Sequence, residues 1–215
     1  MINVNPQTTH IKSSGGSVRH KNEALILEAA KKEFVIKGFL GASIKSIAER
    51  AKIPRANIHY YFEDKEAIYR LLLDQILEIW NSNYDTLIEE NTPKKALTEY
   101  IRSKIMYSRD DPDASRIFAS EIIHGAPILA DYLSSDFQQW IQSKVTVIES
   151  WIAKGMMDDI NPHHLIFLIW SSTQHYADFN VQVLAGMNKK SMTDSDFEEV
   201  IESLTKIILK GCGID

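Results

Sequence analysis

Residues 38–66 constrain the fold of this chain more than any other segment, because they predict two short helices joined by a tight turn. Apolar residues recur with helical spacing in the first of these helices: Ile44, Ile47, Ala48 and Ala51. Ser43 precedes this stripe, where its hydroxyl can cap free amides, and Pro54 ends the helix and suits the first turn of the next one. The arrangement is typical of a helix-turn-helix, whose second helix enters the major groove of DNA.

The second helix carries the side chains that are expected to read DNA. Ile58 and Phe62 lie four residues apart and are predicted to pack inward, which leaves a polar and aromatic face outside. Arginine and asparagine recognise guanine and adenine edges, whereas tyrosine hydroxyls and lysines suit phosphates. The predicted DNA-binding residues are Ser43, Lys45, Arg55, Ala56, Asn57, His59, Tyr60, Tyr61 and Lys65. An ordinary helical hairpin with a solvated polar face is the alternative interpretation of this pattern.

Charge is distributed unevenly along the chain, which has a formal net charge of −5. Residues 1–70 contain 12 lysines and arginines against 7 acidic residues, whereas the remaining residues contain 12 against 22. Such an asymmetry separates a DNA-facing part from an acidic body. It favours phosphate contact by the N-terminal part, with an affinity that falls as salt rises.

The rest of the chain predicts a succession of helices, without the alternating pattern of strands. Residues 1–20 lack an apolar period and predict a disordered arm, for which a contact along DNA is the alternative. A helix-turn-helix domain over 21–66 and a larger helical domain over 67–212 follow. The predicted helices are 21–37 (stopped by Gly38), one starting at 65, then 93–109, 112–125, 127–155, 161–186 and 194–210.

Residue types in the helix-turn-helix region resemble one family of bacterial repressors. The resemblance rests on Phe34-x-x-x-Gly38-Phe39, Ser43-Ile44-x-x-Ile47-Ala48-x-x-Ala51 and Tyr61-Phe62-x-x-Lys65-Glu66-x-Ile68. These runs closely resemble the DNA-binding domain of the TetR family. The resemblance implies an all-α fold of nine helices, with an N-terminal three-helix helix-turn-helix domain and a C-terminal helical ligand-binding and dimerisation domain. It also implies a homodimer that binds double-stranded operator DNA and responds to a small-molecule effector.

Three positions depart from the usual pattern of that family. Lys52 stands in the turn where glycine is usual, Pro54 where serine or threonine is usual, and His59 where tyrosine is common. Lys52 must therefore tolerate the turn geometry, and Pro54 cannot cap the second helix with its side chain. These departures leave the expected fold unchanged and affect only the expected phosphate contacts.

A polar stretch inside an otherwise apolar helix is the second informative feature. Residues 165–170 are all apolar, and Trp170 shares a helix face with Gln174, four residues later. The Gln174 amide offers one acceptor and two donors, which complement the adjacent N–H and C=O of a planar imide or lactam. A nearby tryptophan can stack on such a ring. The alternative is a hydrogen bond between helices, inside the core or at a dimer seam.

Within the TetR family, the chain is similar to the pyrimidine-utilisation (Rut-type) repressors, which sense uracil and thymine. The similarity covers about residues 20–210 and rests on residues 169–179 and on Gln75-Ile76-Leu77-x-Ile79-Trp80, Glu99-Tyr100-Ile101-Arg102, Ser108-Arg109-Asp110-x-Pro112-x-Ala114-Ser115-Arg116 and Gly125-Ala126-Pro127. It implies an effector-binding set of Leu77, Trp80, Trp170 and Gln174, and an effector that weakens operator affinity. His124 departs from the usual small residue and is expected to narrow or re-polarise the site. A repressor of an efflux or catabolic operon that senses a larger apolar or aromatic compound is the alternative.

Catalysis is not expected of this chain. His163 and His164 are adjacent and so point to different faces of a helix, which disfavours one shared metal site. The sequence offers no nucleophile–base pair, phosphate loop or cysteine cluster, so no cofactor is predicted and an all-α enzyme is a distant alternative. It contains neither an uncharged apolar run of the roughly 18 residues that a membrane span needs nor a signal-peptide core. A cytoplasmic protein without a membrane partner is therefore expected.

Overall fold

The structure, a computed structural model, describes residues 14–83, 86–89 and 91–214, and all regular secondary structure in these residues is helical. The helices are α1 (Ser14–Gly41), α2 (Ile44–Ala51), α3 (Arg55–Tyr61), α4 (Lys65–Asn83), α5 (Pro93–Asp110), α6 (Pro112–Ile123), α7 (Ala130–Ser134), α8 (Asp136–Ala153), α9 (Pro162–Asp178), α10 (Asn180–Gly186) and α11 (Asp194–Gly211). They form two compact units, Met1–Tyr69 and Arg70–Asp215. The predicted all-α class is confirmed.

The N-terminal region differs from the sequence prediction. Of the arm predicted over residues 1–20, residues 1–13 lie outside the described residues. Residues 14–20 belong to α1, which begins at Ser14 and not at the predicted Lys21. Gly38 was predicted to stop this helix, and helical geometry does break there, at a φ of 67° and a ψ of 172°. Glycine adopts this positive φ at little cost because it has no Cβ.

An apolar core and a buried cluster of charges hold the first unit together. Fully buried isoleucines come from α1, α2, α3 and the start of α4: Ile26, Ile47, Ile58 and Ile68. The carboxylate of Glu33 on α1 is also buried, and it pairs with Lys37 and with Arg50 of α2 at 2.7 Å each. Hydrogen bonds from Lys37 and Arg50 outweigh burial and hold the pKa of Glu33 at about 2. This cluster ties α1 to α2.

Capping chemistry sets the bounds of α2 and α3. The Ser43 hydroxyl accepts a hydrogen bond from the Ser46 amide at 3.1 Å, and the Ser46 hydroxyl accepts one from the Ser43 amide at 3.2 Å. The predicted cap at Ser43 is thus present as a reciprocal capping box. Lys52 ends α2 in the left-handed region at a φ of 55°, where glycine is favoured. Pro54 takes the N-cap position of α3 and makes no side-chain cap bond, as expected.

Helix α5 packs against α9 and α11 and forms the centre of the second unit. Its buried residues join a core that contains the fully buried Trp151 of α8 and Ile166 of α9. This arrangement brings side chains from helices distant in sequence around one interior. An interior cavity also lies in this unit.

Two predicted helices of the second unit are each interrupted, so the described residues form eleven helices and not the nine implied by the resemblance. The helix predicted over 127–155 is divided into α7 and α8 at Ser135, which has a φ of −127° and a ψ of −89°. The helix predicted over 161–186 is divided into α9 and α10 at Phe179, at a φ of −112° and a ψ of 29°. Both conformations lie outside the α-helical region, although neither residue is a proline or a glycine.

Candidate DNA interface and effector cavity

The exposed face of α3 presents most of the residues predicted to bind DNA. Ile58 and Phe62 are buried, as predicted, and so orient this short helix. The exposed residues of α3 are Arg55, Ala56, Asn57, His59 and Tyr60. Near the start of α2, Ser43 is exposed, and the side chain of Lys45 is 75% exposed with Glu49 at 3.9 Å. These positions are accessible to a duplex, and their DNA contacts remain predictions.

Two of the predicted DNA-binding residues contact their own unit. The Tyr61 hydroxyl accepts a hydrogen bond from the Asn22 side-chain amide at 3.0 Å. Lys65 Nζ donates to the carbonyl oxygens of Phe39 at 2.5 Å and Ala42 at 3.0 Å. The same ammonium lies 4.4 Å from the centroid of the Phe39 ring. Lys65 therefore fastens the start of α4 to the segment before α2, a stabilising role that the sequence did not predict.

A cavity of about 320 Å³ lies inside the second unit. The four residues predicted to bind the effector, Leu77, Trp80, Trp170 and Gln174, all line it. The other lining residues are Asn81, Tyr100, Lys104, Phe118, Ile122, Tyr132, Leu133, Phe137 and Trp140. Helices α4 and α9 supply the predicted residues, and helix α5 supplies two polar ones that the sequence did not indicate.

Aromatic rings make up much of the cavity lining. The indole of Trp170 stacks on that of Trp140, with centroids 5.9 Å apart and an interplanar angle of 28°, and it lies 5.9 Å from the Phe137 ring. Trp80 meets Phe118 edge-on, with centroids 4.6 Å apart. A flat, apolar surface of this kind suits a planar ring.

Tyr100 places a phenol at the cavity from the core of the unit. Its side chain is only 2% exposed, and its hydroxyl oxygen accepts a hydrogen bond from Trp170 Nε1 at 2.6 Å. Burial raises the pKa of this phenol well above its usual value, against a smaller opposing effect of the Trp170 hydrogen bond. The hydroxyl therefore stays protonated. No acceptor for its proton is found in the described part of the chain.

Lys104 adds a positive charge to the cavity lining. It is 5% exposed, and its Nζ lies 4.3 Å from the centroid of the Trp80 ring. Burial lowers the pKa of Lys104 to about 8, while the charge of Asp178 acts in the opposite direction. Asp178 accepts a hydrogen bond from the Ser115 hydroxyl at 2.7 Å, and burial raises its pKa. The opposite charges offset part of each other's desolvation cost.

Gln174 differs from the other polar residues at the cavity because its amide is uncommitted. The residue is half-buried on α9, and no hydrogen-bond partner for its side chain is found among residues 14–83, 86–89 and 91–214. The hydrogen bond between helices that was the alternative interpretation is thus not formed within the described chain. An amide so placed can accept one hydrogen bond and donate two to a ligand.

The polar residues that α5 contributes to the cavity were not predicted, and one residue predicted to affect the site lies elsewhere. Tyr100 and Lys104 lie four residues apart, so one face of α5 carries both; this spacing was the only local signal. His124 was expected to narrow or re-polarise the site. Instead, His124 is exposed at the C-terminal end of α6, and its Nδ1 lies 2.7 Å from the Ser120 carbonyl oxygen. The helix ends here, and the chain changes direction at Gly125, which has a φ of 87°.

No cluster of three or more potential metal ligands occurs among the described residues. Within the same ranges, no helix combines the length and apolar character that a membrane span requires. The exposed second helix of a helix-turn-helix and the aromatic cavity of a separate helical unit define a DNA-binding regulator with an effector domain.

Comparisons with known proteins place the chain in one family. Residues 26–72 match the family "Bacterial regulatory proteins, tetR family", and residues 73–215 match "YcdC-like protein, C-terminal region". The chain is 41% identical over 205 residues to the HTH-type transcriptional regulator RutR of Escherichia coli (strain K12), covering 95% of each protein. It is 31% identical to the HTH-type transcriptional repressor NicS of Pseudomonas putida, covering 70% of this chain and 73% of that one.

A solved structure with the same fold is the ketosteroid transcriptional regulator KstR2 of Mycobacterium tuberculosis. It has a TM-score of 0.73 and 17% sequence identity, and the match covers 88% of this chain and 94% of that chain.

The chain belongs to the TetR family. It is a transcriptional regulator and not an enzyme, and it is similar to the HTH-type transcriptional regulator RutR of Escherichia coli. Regulators of this family bind operator DNA and small-molecule effectors and are dimeric.

Proposed function

We propose that this protein represses genes of pyrimidine catabolism and that uracil or thymine, bound in the second unit, weakens its affinity for operator DNA. The observation that carries the proposal is the uncommitted amide of Gln174 at a cavity lined by Trp80 and Trp170. A planar imide edge presents N–H beside C=O, which pairs with both functions of that amide. The indole rings supply apolar surface for the ring faces.

The size of the cavity supports a small effector. Its volume of about 320 Å³ lies at the lower end of the roughly 300–1,000 Å³ range of ligand pockets. A larger apolar or aromatic effector is the competing candidate, and it is favoured by the number of rings in the lining, which include Trp140, Phe118 and Phe137. Such a ligand would leave the Gln174 amide and the hydroxyl proton of Tyr100 without a polar counterpart, at a cost in affinity.

For the DNA end, we assign base contacts to Arg55 and Asn57, and phosphate contacts to Ser43, Lys45, Tyr60 and Tyr61. Ala56 and His59 are also assigned to the interface, because both are exposed on the same helix as Arg55 and Asn57. In a dimer, two such helices separated by about 34–36 Å meet successive major grooves. Because operator DNA is the target, we expect the protein to act in the cytoplasm.

The partner subunit is proposed to cover apolar residues of the second unit. Phe167 and Leu168 of α9 and Ile207 of α11 are large, apolar and exposed. Exposed apolar side chains of this size are typical of association surfaces. Helices α9 and α11 are therefore the proposed elements of dimerisation. Helix α8 is less favoured because its Trp151 and Ile148 are buried in the core.

Helix α4 is the proposed link between effector and DNA. It runs without interruption from Lys65, in the first unit, to the cavity residues Leu77 and Trp80 in the second. An effector that contacts Leu77 and Trp80 can bias the position of this helix, and with it the spacing of the recognition helices. Coupling energies of this kind are about 1–3 kcal/mol, or roughly 5–150-fold in affinity.

Calorimetry tests the proposed effector. Uracil and thymine should bind the wild type, whereas 3-methyluracil, which lacks the ring N–H between the carbonyls, should bind much more weakly. Gln174→Leu should lose uracil binding and keep operator binding, because it removes ligand recognition and leaves the DNA surface intact. Gln182→Leu, at a position on α10 outside the cavity lining, is the matched control. The proposal is contradicted if the wild type does not bind uracil at about millimolar concentration, or if Gln174→Leu binds uracil as tightly as the wild type. Either result would favour a larger apolar or aromatic effector.

A further inference from the structure

The hydroxyl of Tyr100 is a buried hydrogen-bond donor at the cavity that the proposed function has not yet used. Its oxygen is fixed by the indole N–H of Trp170 at 2.6 Å, so the phenol has a defined position. The remaining proton has no acceptor in the described part of the chain. Leaving a buried donor unpaired is costly, and such groups usually meet a ligand or an ordered water.

Neighbouring chemistry defines what this donor would meet. A protonated phenol that already accepts from Trp170 presents its O–H, and Lys104, on the same face of α5, presents an ammonium group to the same cavity. Donors and positive charge favour an oxygen that carries partial negative charge. They disfavour an amino group, which would set donor against donor.

We propose that Tyr100 is a specificity-determining residue that donates a hydrogen bond to one carbonyl oxygen of the effector ring. The inference rests on the proposed function and deepens it. The Gln174 amide accepts a hydrogen bond from the ring N–H and donates one to the carbonyl oxygen on one side of it. Tyr100 donates to the carbonyl oxygen on the other side. The site thus selects a ring with the order C=O, N–H, C=O, and Trp170 acts as the positioning residue for the Tyr100 hydroxyl.

Two series of calorimetric titrations test this assignment. In the first, uracil is titrated into the wild type, Tyr100→Phe and the control Tyr176→Phe, which removes a phenol hydroxyl from α9 at a position outside the cavity lining. Tyr100→Phe should weaken the binding of uracil about tenfold or more, because a ligand carbonyl loses its partner in a buried site, and Tyr176→Phe should change it about twofold at most.

The second series begins with the wild type, where the comparison of ligands does not depend on the folding of a variant, and is then repeated with Tyr100→Phe. 2-Thiouracil and 4-thiouracil each replace one carbonyl oxygen by sulfur, which is a weak acceptor. One of them should bind the wild type clearly more weakly than uracil, and this difference should disappear in Tyr100→Phe. If Tyr100 has only a structural role, Tyr100→Phe should weaken the binding of all three ligands alike, and the ratios of their dissociation constants should stay unchanged.

The outcomes separate the two proposals. If uracil does not bind the wild type, the proposed function fails and this inference fails with it. If uracil binds the wild type but Tyr100→Phe retains that affinity within about twofold, or both thiouracils bind the wild type as tightly as uracil, only the assignment of Tyr100 is overturned.

Discussion

Replacing Glu33 by glutamine tests the buried charge cluster that joins α1 to α2. The carboxylate pairs with Lys37 and Arg50 at 2.7 Å, and its pKa of about 2 lies below the ordinary value of 4.5. At about 1.4 kcal/mol per pH unit, this difference corresponds to about 3 kcal/mol of stabilisation. Both cationic partners are partly exposed and therefore screened, so we expect Glu33→Gln to cost about 1–2 kcal/mol at pH 7.

The pH dependence follows from the direction of that pKa. A carboxyl group whose pKa is lowered on folding stabilises the protein above its ordinary pKa of 4.5 and loses that contribution as the pH falls towards about 2. The difference between wild type and Glu33→Gln should therefore be full at pH 7 and smaller at pH 3. Urea denaturation followed by circular dichroism at both values measures it.

Glu28→Gln provides the matched control on the same helix. Glu28 is 62% exposed and lies 3.8 Å from Lys32, so its removal should cost less than about 0.5 kcal/mol. Equal stability of Glu33→Gln and wild type at pH 7, or a loss that does not shrink at pH 3, would refute the account of the cluster.

Three further substitutions test the first unit. Lys65→Ala should lower the melting temperature, because it removes hydrogen bonds to the Phe39 and Ala42 carbonyl oxygens and a cation–π contact. An unchanged melting temperature would contradict this stabilising role and favour DNA binding as the function of Lys65. Arg55→Ala should lower operator binding by about 1–3 kcal/mol and relax the choice of sequence, whereas Lys45→Ala should weaken all duplexes alike and reduce the salt slope by about one, both measured by fluorescence anisotropy across salt concentrations. Lys52→Gly should leave the protein as stable or up to about 1 kcal/mol more stable in urea denaturation, because Lys52 has a φ of 55°; a marked loss would mean that its side chain matters more than its backbone.

Local features of this fold are predictable because their sequence signals lie within a few residues of one another. The capping role of Ser43 and the inward positions of Ile58 and Phe62 follow from short-range spacing, and the structure contains all three. The shared face of Trp170 and Gln174 follows from their spacing of four residues, and both line the cavity.

The remaining features depend on contacts distant in sequence. The helices break at Ser135 and Phe179, which are neither proline nor glycine, so the local sequence contains no signal for these breaks. Tyr100 and Trp170 are joined by a hydrogen bond across 70 positions of the chain, and no periodicity reveals such a pairing. The same holds for Glu33 and Arg50, because a charged residue on a helix is normally expected to face solvent.

Measuring operator affinity with and without uracil tests the central claim most directly. A duplex is first selected by the protein from random-sequence DNA, and its dissociation constant is then determined by fluorescence anisotropy at fixed salt. Saturating uracil should raise that constant by roughly 5–150-fold for the wild type and leave it unchanged for Gln174→Leu. If uracil binds the wild type and the operator affinity does not change, or increases, effector-driven release from DNA is contradicted.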